Sequence, residues 1–554
     1  MRPQSTLREP SSGQLKRLSV DVSENRVALQ TQILVGEMAL QRGQGRRAAK
    51  AYVAALAHTN DPQVAKRATQ IALYADAFDP AWQAARVWAR QAADSAPAQR
   101  TAARLALRAG DGERLRRYAA KVVQLDEDGP DAGLRALADV LSGEPDHADL
   151  ALATMHTLVA KHPDSAPAHY AQALLALRYQ KYARAQQAAA KALALHPGWP
   201  DAILLRAGIL VRKGDLAAAR RWIDGLKGSV AQRADYQFAF ARMLLDVGGE
   251  AAAAAAADAF DRALALRPDY ADARYGLGVL ALALEQWQRA RAAFTALYKN
   301  GERPSDAAWY LGLVAEAQKD YAGARGWYQK VETGGHVLQA GIRAARMRYR
   351  RGDMAGARAE LQAMRSSRPE PGSRLYLAEG ALLFDAHKFQ AALALYNQAI
   401  EADHRHPELL YARSLAYEKL GDIENAEADL RAILAADPDN ARALNALGYM
   451  LSNHSARYQE ALEYIQRALA EEPQDPAVMD SMGWIQYRLG NLTKARTYLQ
   501  RAYKKFPDPE VAAHLGEVLW QLGQKHKARD VWRQALAEHP DHRVLRETIQ
   551  RLTP

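Results

Sequence analysis

A 554-residue chain without a single cysteine cannot run thiol chemistry, so disulfide frameworks, zinc–cysteine sites and thiol nucleophiles are excluded from the start. The densest group of possible metal ligands is His404-Arg405-His406, with His387 upstream. The His404/His406 spacing suits neither one helix face nor a common zinc pattern with carboxylate support, so it reads as a solvated loop. Aspartate and glutamate are plentiful, yet nothing in their context singles out a buried pair for acid–base work. A P-loop, a dinucleotide fingerprint, HExxH and GxSxG are all absent. The chain is therefore expected to be non-enzymatic, with no cofactor and no metal.

What the chain does carry is a period. Ala48, Ala84, Ala151, Ala185, Ala219, Ala256, Ala290, Ala324, Ala357, Ala392, Ala426, Ala461, Ala495 and Ala528 recur about every 34 residues, and Leu115 fills the gap. Twelve positions earlier stands a small residue, as at Ala173, Gly312, Gly380, Gly483 and Gly516. Four positions later stands a large apolar one, as at Tyr52, Trp88, Phe294, Tyr328, Tyr396, Leu499 and Trp532. A fixed period of this length marks a stack of helix pairs. In one unit, Leu277, Gly278 and Ala281 make one helical stripe; Glu285-Gln286-Trp287-Gln288 turns the chain; Ala290, Phe294 and Leu297 make the second stripe. The small residue and the alanine let two backbones approach closely. The large residue is expected to fill the space towards the next unit. Pro-Asp pairs such as Pro268-Asp269, Pro438-Asp439, Pro507-Asp508 and Pro540-Asp541 should stop one helix and cap the next.

The order small, Ala, large, Ala, Pro at these offsets resembles the tetratricopeptide repeat, with the best copies at Leu277-Gly278…Ala290…Phe294, Leu311-Gly312…Ala324…Tyr328 and Leu447-Gly448…Ala461…Ile465…Pro473. The resemblance implies an all-α solenoid, a right-handed superhelix of about 15 helix pairs. The organisation read from the chain is a disordered tether over 1–25, divergent helical repeats over 26–160, a regular superhelix over 161–545 and a tail over 546–554. Divergence is expected where Leu115 and Asp139 occupy positions that want small residues. The run Ala251–Ala257 reads as a thin helix in a stretched repeat.

In this family the first helix of each unit lines the concave groove. Carried over position by position, the groove residues are Tyr411, Leu415, Glu418 and Lys419; Asn445, Tyr449, Ser452 and Asn453; Asp480, Trp484, Tyr487 and Arg488; and Glu517, Trp520 and Gln521. Aromatics and arginine are the usual energetic anchors of an interface, and Asn445 is of the type that holds a peptide backbone or carboxylate in related grooves. The set is expected to bind a protein or peptide; the opposing reading is that Trp484 and Trp520 pack between neighbouring repeats.

Stretches at both ends narrow the resemblance. Gly36-Glu37-Met38-Ala39-Leu40-Gln41-Arg42-Gly43, Thr59-Asn60-Asp61-Pro62, Asp480-Ser481-Met482-Gly483-Trp484 and the run from Pro507 to Trp520 are similar to those of bacterial outer-membrane lipoprotein adaptors that partner a periplasmic carboxyl-terminal processing protease. The resemblance implies a scaffold for that protease and its cell-wall (peptidoglycan) hydrolase substrates, placed in the periplasm and anchored to the outer membrane if a lipobox has been removed. The family's signal peptide and lipidated cysteine are not in this sequence. Two other readings stay open: a cytoplasmic peptide-binding co-chaperone or regulator, and a basic solenoid for nucleic acid or anionic polysaccharide. The last draws on 74 basic against 63 acidic residues, a net charge of +11. The arginines are scattered among acids on helix faces, however, and clustered base-reading motifs are not seen, so nucleic-acid binding is not expected.

Overall fold

A computed structural model describes residues 24–367, 372–402 and 406–553. The expected tether over 1–25 lies almost wholly outside the described residues, as do His404 and Arg405. His406 directly precedes the helix Pro407–Leu420, with its Nδ1 2.6 Å from Glu408. The described residues form 31 α-helices, joined by short turns, and contain no strand. The fold is all-α and solenoidal, and it divides into two compact units, Met1–Ala281 and Leu282–Pro554.

The periodic alanines explain the stacking. All fourteen, and Leu115, have no exposed surface. The small residue twelve positions upstream makes room for the large residue of the same unit. A Cβ added at Gly312 would run into the Tyr328 ring, and one at Gly483 would lie 2.5 Å from Leu499. At Gly380 and Gly516 it would collide with Tyr396 and Trp532. The large residue therefore packs first against its own unit's first helix, not only towards the next unit as the spacing suggested. It still reaches onward: Phe294 stacks on Tyr310 of the following unit at 4.7 Å.

Capping departs from the Pro-Asp expectation. Of the four pairs named, Asp508 caps its helix, accepting from the Glu510 N–H at 2.8 Å. After Pro438 and Pro540 the cap falls one residue later, on Asn440 and His542. The second helices start on a different signal. Asp111, Asp215, Asp320 and Asp422 each accept an N–H from the third residue beyond, which satisfies a donor the first turn leaves free.

Three stretches depart from the even period. Ala251–Ala257 lies within Glu250–Leu266, a 17-residue helix paired with the 18-residue Val230–Val247. Two 3₁₀ turns, Leu141–Gly143 and Pro145–His147, lengthen the link between Pro130–Val140 and Ala148–Val159. Asp139 is consequently turned outward, paired with Arg178 at 2.6 Å. The expected tail is instead helical through most of its length, in Arg543–Leu552. Leu545 is fully buried there, and Ile549 and Leu552 pack against the preceding pair. Their i, i+4, i+7 spacing is an amphipathic stripe that the expected boundary overlooked.

Candidate functional site

In the second unit the first helices touch one another from repeat to repeat: Ala441–His454 meets Pro476–Arg488, which meets Pro509–Gln521. Side chains projecting from this layer form one connected strip. Trp484 donates its Nε1–H to Asn453 at 2.7 Å and stacks on His514 at 4.1 Å between ring centroids, tilted 24°. His514 places Nδ1 3.0 and 3.1 Å from the two carboxylate oxygens of Asp480. Tyr449 reaches across two repeats to donate its hydroxyl to Glu510 at 2.6 Å. Tyr487 donates to Glu517 at 2.9 Å, and Arg551 of the last helix closes the strip on the other oxygen of Glu517 at 2.7 Å.

Burial sets the electrostatics. His514 is buried; desolvation alone would pull its pKa down, but the facing Asp480 carboxylate, helped by Glu510 and Glu517, outweighs that and raises it above the ordinary 6.5. Burial and then the Glu510 charge push the Tyr449 hydroxyl far up. Burial and Glu517 push Tyr487 up to about 12. Both phenols stay protonated and remain donors at neutral pH.

The structure sorts the twelve expected site residues. Asn453, Asp480, Trp484, Tyr487, Glu517 and Tyr449 come together in the strip. Asp480 and Glu517, however, are only 7% and 3% exposed and are spent on His514, Tyr487 and Arg551. They hold the surface in shape rather than facing an open groove, a correction to their expected role. Asn445 carries a buried side-chain oxygen with no hydrogen-bond partner. Lys419 is exposed. The others turn to local partners. Tyr411 lies under the Arg442 guanidinium at 3.8 Å. Glu418 meets His454 at 3.3 Å. Arg488 bonds the Tyr458 hydroxyl and lies over its ring. Trp520 packs 5.8 Å from Trp532 with Lys525 and Arg529 around it. These partners of Trp520 all belong to its own repeat, whereas Trp484 is the ring that contacts both neighbouring repeats, through Asn453 and His514.

Three members of the strip escaped the sequence reading: Glu510, His514 and Arg551. His514 stands two residues before Gly516, a register the groove rule skips, and its partner Asp480 is one repeat of 34 residues earlier. A histidine and an aspartate separated by one full period are a usable signal. Among the described residues no cluster of three or more His, Asp and Glu could hold a metal ion. What the strip offers chemically is ordered donors, acceptors and half-buried rings.

Tetratricopeptide-repeat family models match residues 170–234, 253–301, 280–335, 377–440, 411–476, 454–517 and 514–542. A TPR repeat-containing protein of Pseudomonas aeruginosa is 35% identical over 485 residues, which cover 86% of this chain and 80% of that one. A small glutamine-rich tetratricopeptide repeat-containing protein of Mycosarcoma maydis is 32% identical over 96 residues, 17% of this chain and 27% of that one. Among solved structures, a tetratricopeptide repeat protein from Parabacteroides merdae aligns at TM-score 0.37 and 16% identity, over 45% of this chain and 99% of its own. A chain of the APC/C hetero-tetramer Cut9-Hcn1 aligns at TM-score 0.35 and 14% identity, over 96% of this chain and 97% of its own.

Proposed function

The chain belongs to the tetratricopeptide-repeat family, and from that premise we propose a non-enzymatic scaffold that takes an extended segment of a partner protein along Ala441–His454, Pro476–Arg488 and Pro509–Gln521. The observation that carries the reading is the connected strip on three successive first helices, with its half-buried Tyr449, Trp484 and Tyr487. Rings held in place by hydrogen bonds lose little entropy on binding, which is how a preformed surface gains affinity. The buried, unpartnered Asn445 oxygen supports it as well, because an incoming backbone N–H is the donor it lacks.

The partner in this proposal is a periplasmic carboxyl-terminal processing protease, and the scaffold presents cell-wall hydrolases to it from a position in the periplasm at the outer membrane. The support is the resemblance carried by Gly36–Gly43 and by the run from Pro507 to Trp520. The test is direct: purified chain and the candidate protease from the same genome, mixed and followed by size-exclusion chromatography and calorimetry. A complex is expected, weakened by about 2 kcal/mol in Tyr487→Ala and less in Lys419→Glu, with helical content unchanged. No complex at all would remove the protease. A complex indifferent to both substitutions would move the binding surface off these helices.

A further inference from the structure

In the first unit the second helices Phe78–Gln91 and Gly112–Gln124 flank the first helix Ala96–Arg108. Trp82 and Tyr118 meet edge to face at 6.3 Å between them. Beside that contact the two helices leave a cavity of about 600 Å³, floored by Gln99. Its walls carry Arg86, Arg90, Arg114, Arg117 and Lys121, and no acidic residue lines it. Arg114 and Arg117 are partly neutralised within their own helix turn by Asp111 and Glu113, at 2.5 and 3.3 Å. Arg86, Arg90 and Lys121 have no ion-pair partner among the described residues. Arg86 lies instead over the Trp82 ring at 5.3 Å, and its Nε is buried with no hydrogen-bond acceptor.

Five cations ring the hollow against the two carboxylates of Asp111 and Glu113, the first of which also attracts Arg86, and the excess positive charges repel one another. We infer that this hollow is a binding site for an acidic segment of a protein, whose carboxylates supply the missing charge. Four of the five cations are arginines, whose planar forks match carboxylates in bidentate fashion. Of the two glutamines on the lining, Gln83 is exposed and suits a peptide backbone, while Gln99 is buried with its amide N–H groups given to the Ala89 and Ala93 carbonyls. Single-stranded nucleic acid fits less well, since it needs aromatic faces on which bases stack, and the one ring on the lining, Tyr118, is 9% exposed. This site lies on second helices of the first unit and does not depend on the strip in the second.

The test uses the full chain and three labelled probes in fluorescence anisotropy: a short Glu/Asp-rich peptide, its Gln/Asn counterpart and an oligothymidylate of equal charge. The acidic peptide should bind, the neutral one should not, and affinity should fall as added salt shrinks the Debye length below about 10 Å. Arg90→Glu with Lys121→Glu should weaken the acidic peptide by at least about tenfold. Arg46→Glu with Arg212→Glu, an equal change in net charge on exposed positions elsewhere, should change it by less than about twofold. Circular dichroism of both double variants checks folding. The inference falls if the acidic peptide does not bind. It also falls if the control pair weakens binding as much as the cavity pair, or if the oligothymidylate binds more tightly than the peptide and loses more on reversal of Arg90 and Lys121.

Discussion

His514 is the residue on which the C-terminal repeats turn. It is buried, and its charged form is stabilised by Asp480, so its pKa in the folded chain lies above the unfolded 6.5. Stability from this pair is therefore fully present below about pH 6.5 and is lost as pH rises through the folded pKa. Protection factors of the Pro509–Gln521 amides, taken relative to the intrinsic base-catalysed rate at each pH, should be higher at about pH 6 than at about pH 9, and His514→Asn should abolish the difference. An unchanged difference in the variant would assign it elsewhere. Asp480→Asn should do more harm below about pH 6, about 3–5 kcal/mol, where it strands a buried imidazolium, and less at higher pH, where the unpaired imidazole gives up its proton. Trp484 belongs to the same account. Its ring stacks on His514 and its N–H holds Asn453, so Trp484→Ala should cost about 1–3 kcal/mol of stability as well as any binding. A chemical melt of the variant that overlays the parent would show the ring to be free for a partner alone.

At the scale of the element, the unit is a steric lock between a small residue and a large one. Ala324 has no exposed surface, and Ala324→Leu should destabilise by about 1–3 kcal/mol through overpacking. Glycines test the lock more finely. Gly326→Ala, with nothing within 4 Å of the new Cβ, should gain up to about 1 kcal/mol of helix propensity. The same exchange at Gly380 drives the Cβ into Tyr396 and should lose stability despite the propensity gain, with partial rescue by Tyr396→Leu. Urea melts of these variants read the sign directly. If Gly326→Ala and Gly380→Ala shift the midpoint the same way, the lock is not what orders the helices. Much of this was legible in the sequence, because the small residue, the alanine and the large residue keep near-constant spacing. The direction of the large side chain was not, since one spacing serves packing inward and packing onward alike.

For the whole molecule, contacts run mainly between neighbouring helices, and the chain resolves into two compact units. Stability is then close to a sum over neighbours, and thermal unfolding should be broad or stepped, with calorimetric and van't Hoff enthalpies that disagree. Coincident transitions by circular dichroism and tryptophan fluorescence, with equal enthalpies, would count against separate units.

The amino-acid order by itself determined that the chain is all-helical, that it repeats about every 34 residues and where its helices touch. Those facts are local: a 3.6-residue turn and a short loop convert spacing into contact within one unit, and sterics admit only small residues at the crossing. The tertiary structure alone decided which expected site residues meet. Tyr449 finds Glu510 across 61 residues, Glu517 finds Arg551 across 34, and Trp520 meets Trp532 of its own repeat. A side chain's partner in a solenoid depends on the rotation between successive repeats and on its own rotamer, and neither is written in the spacing. Asp480 shows the difference: its position assigned it to the inner face, but only packing made it the counter-ion of a buried histidine.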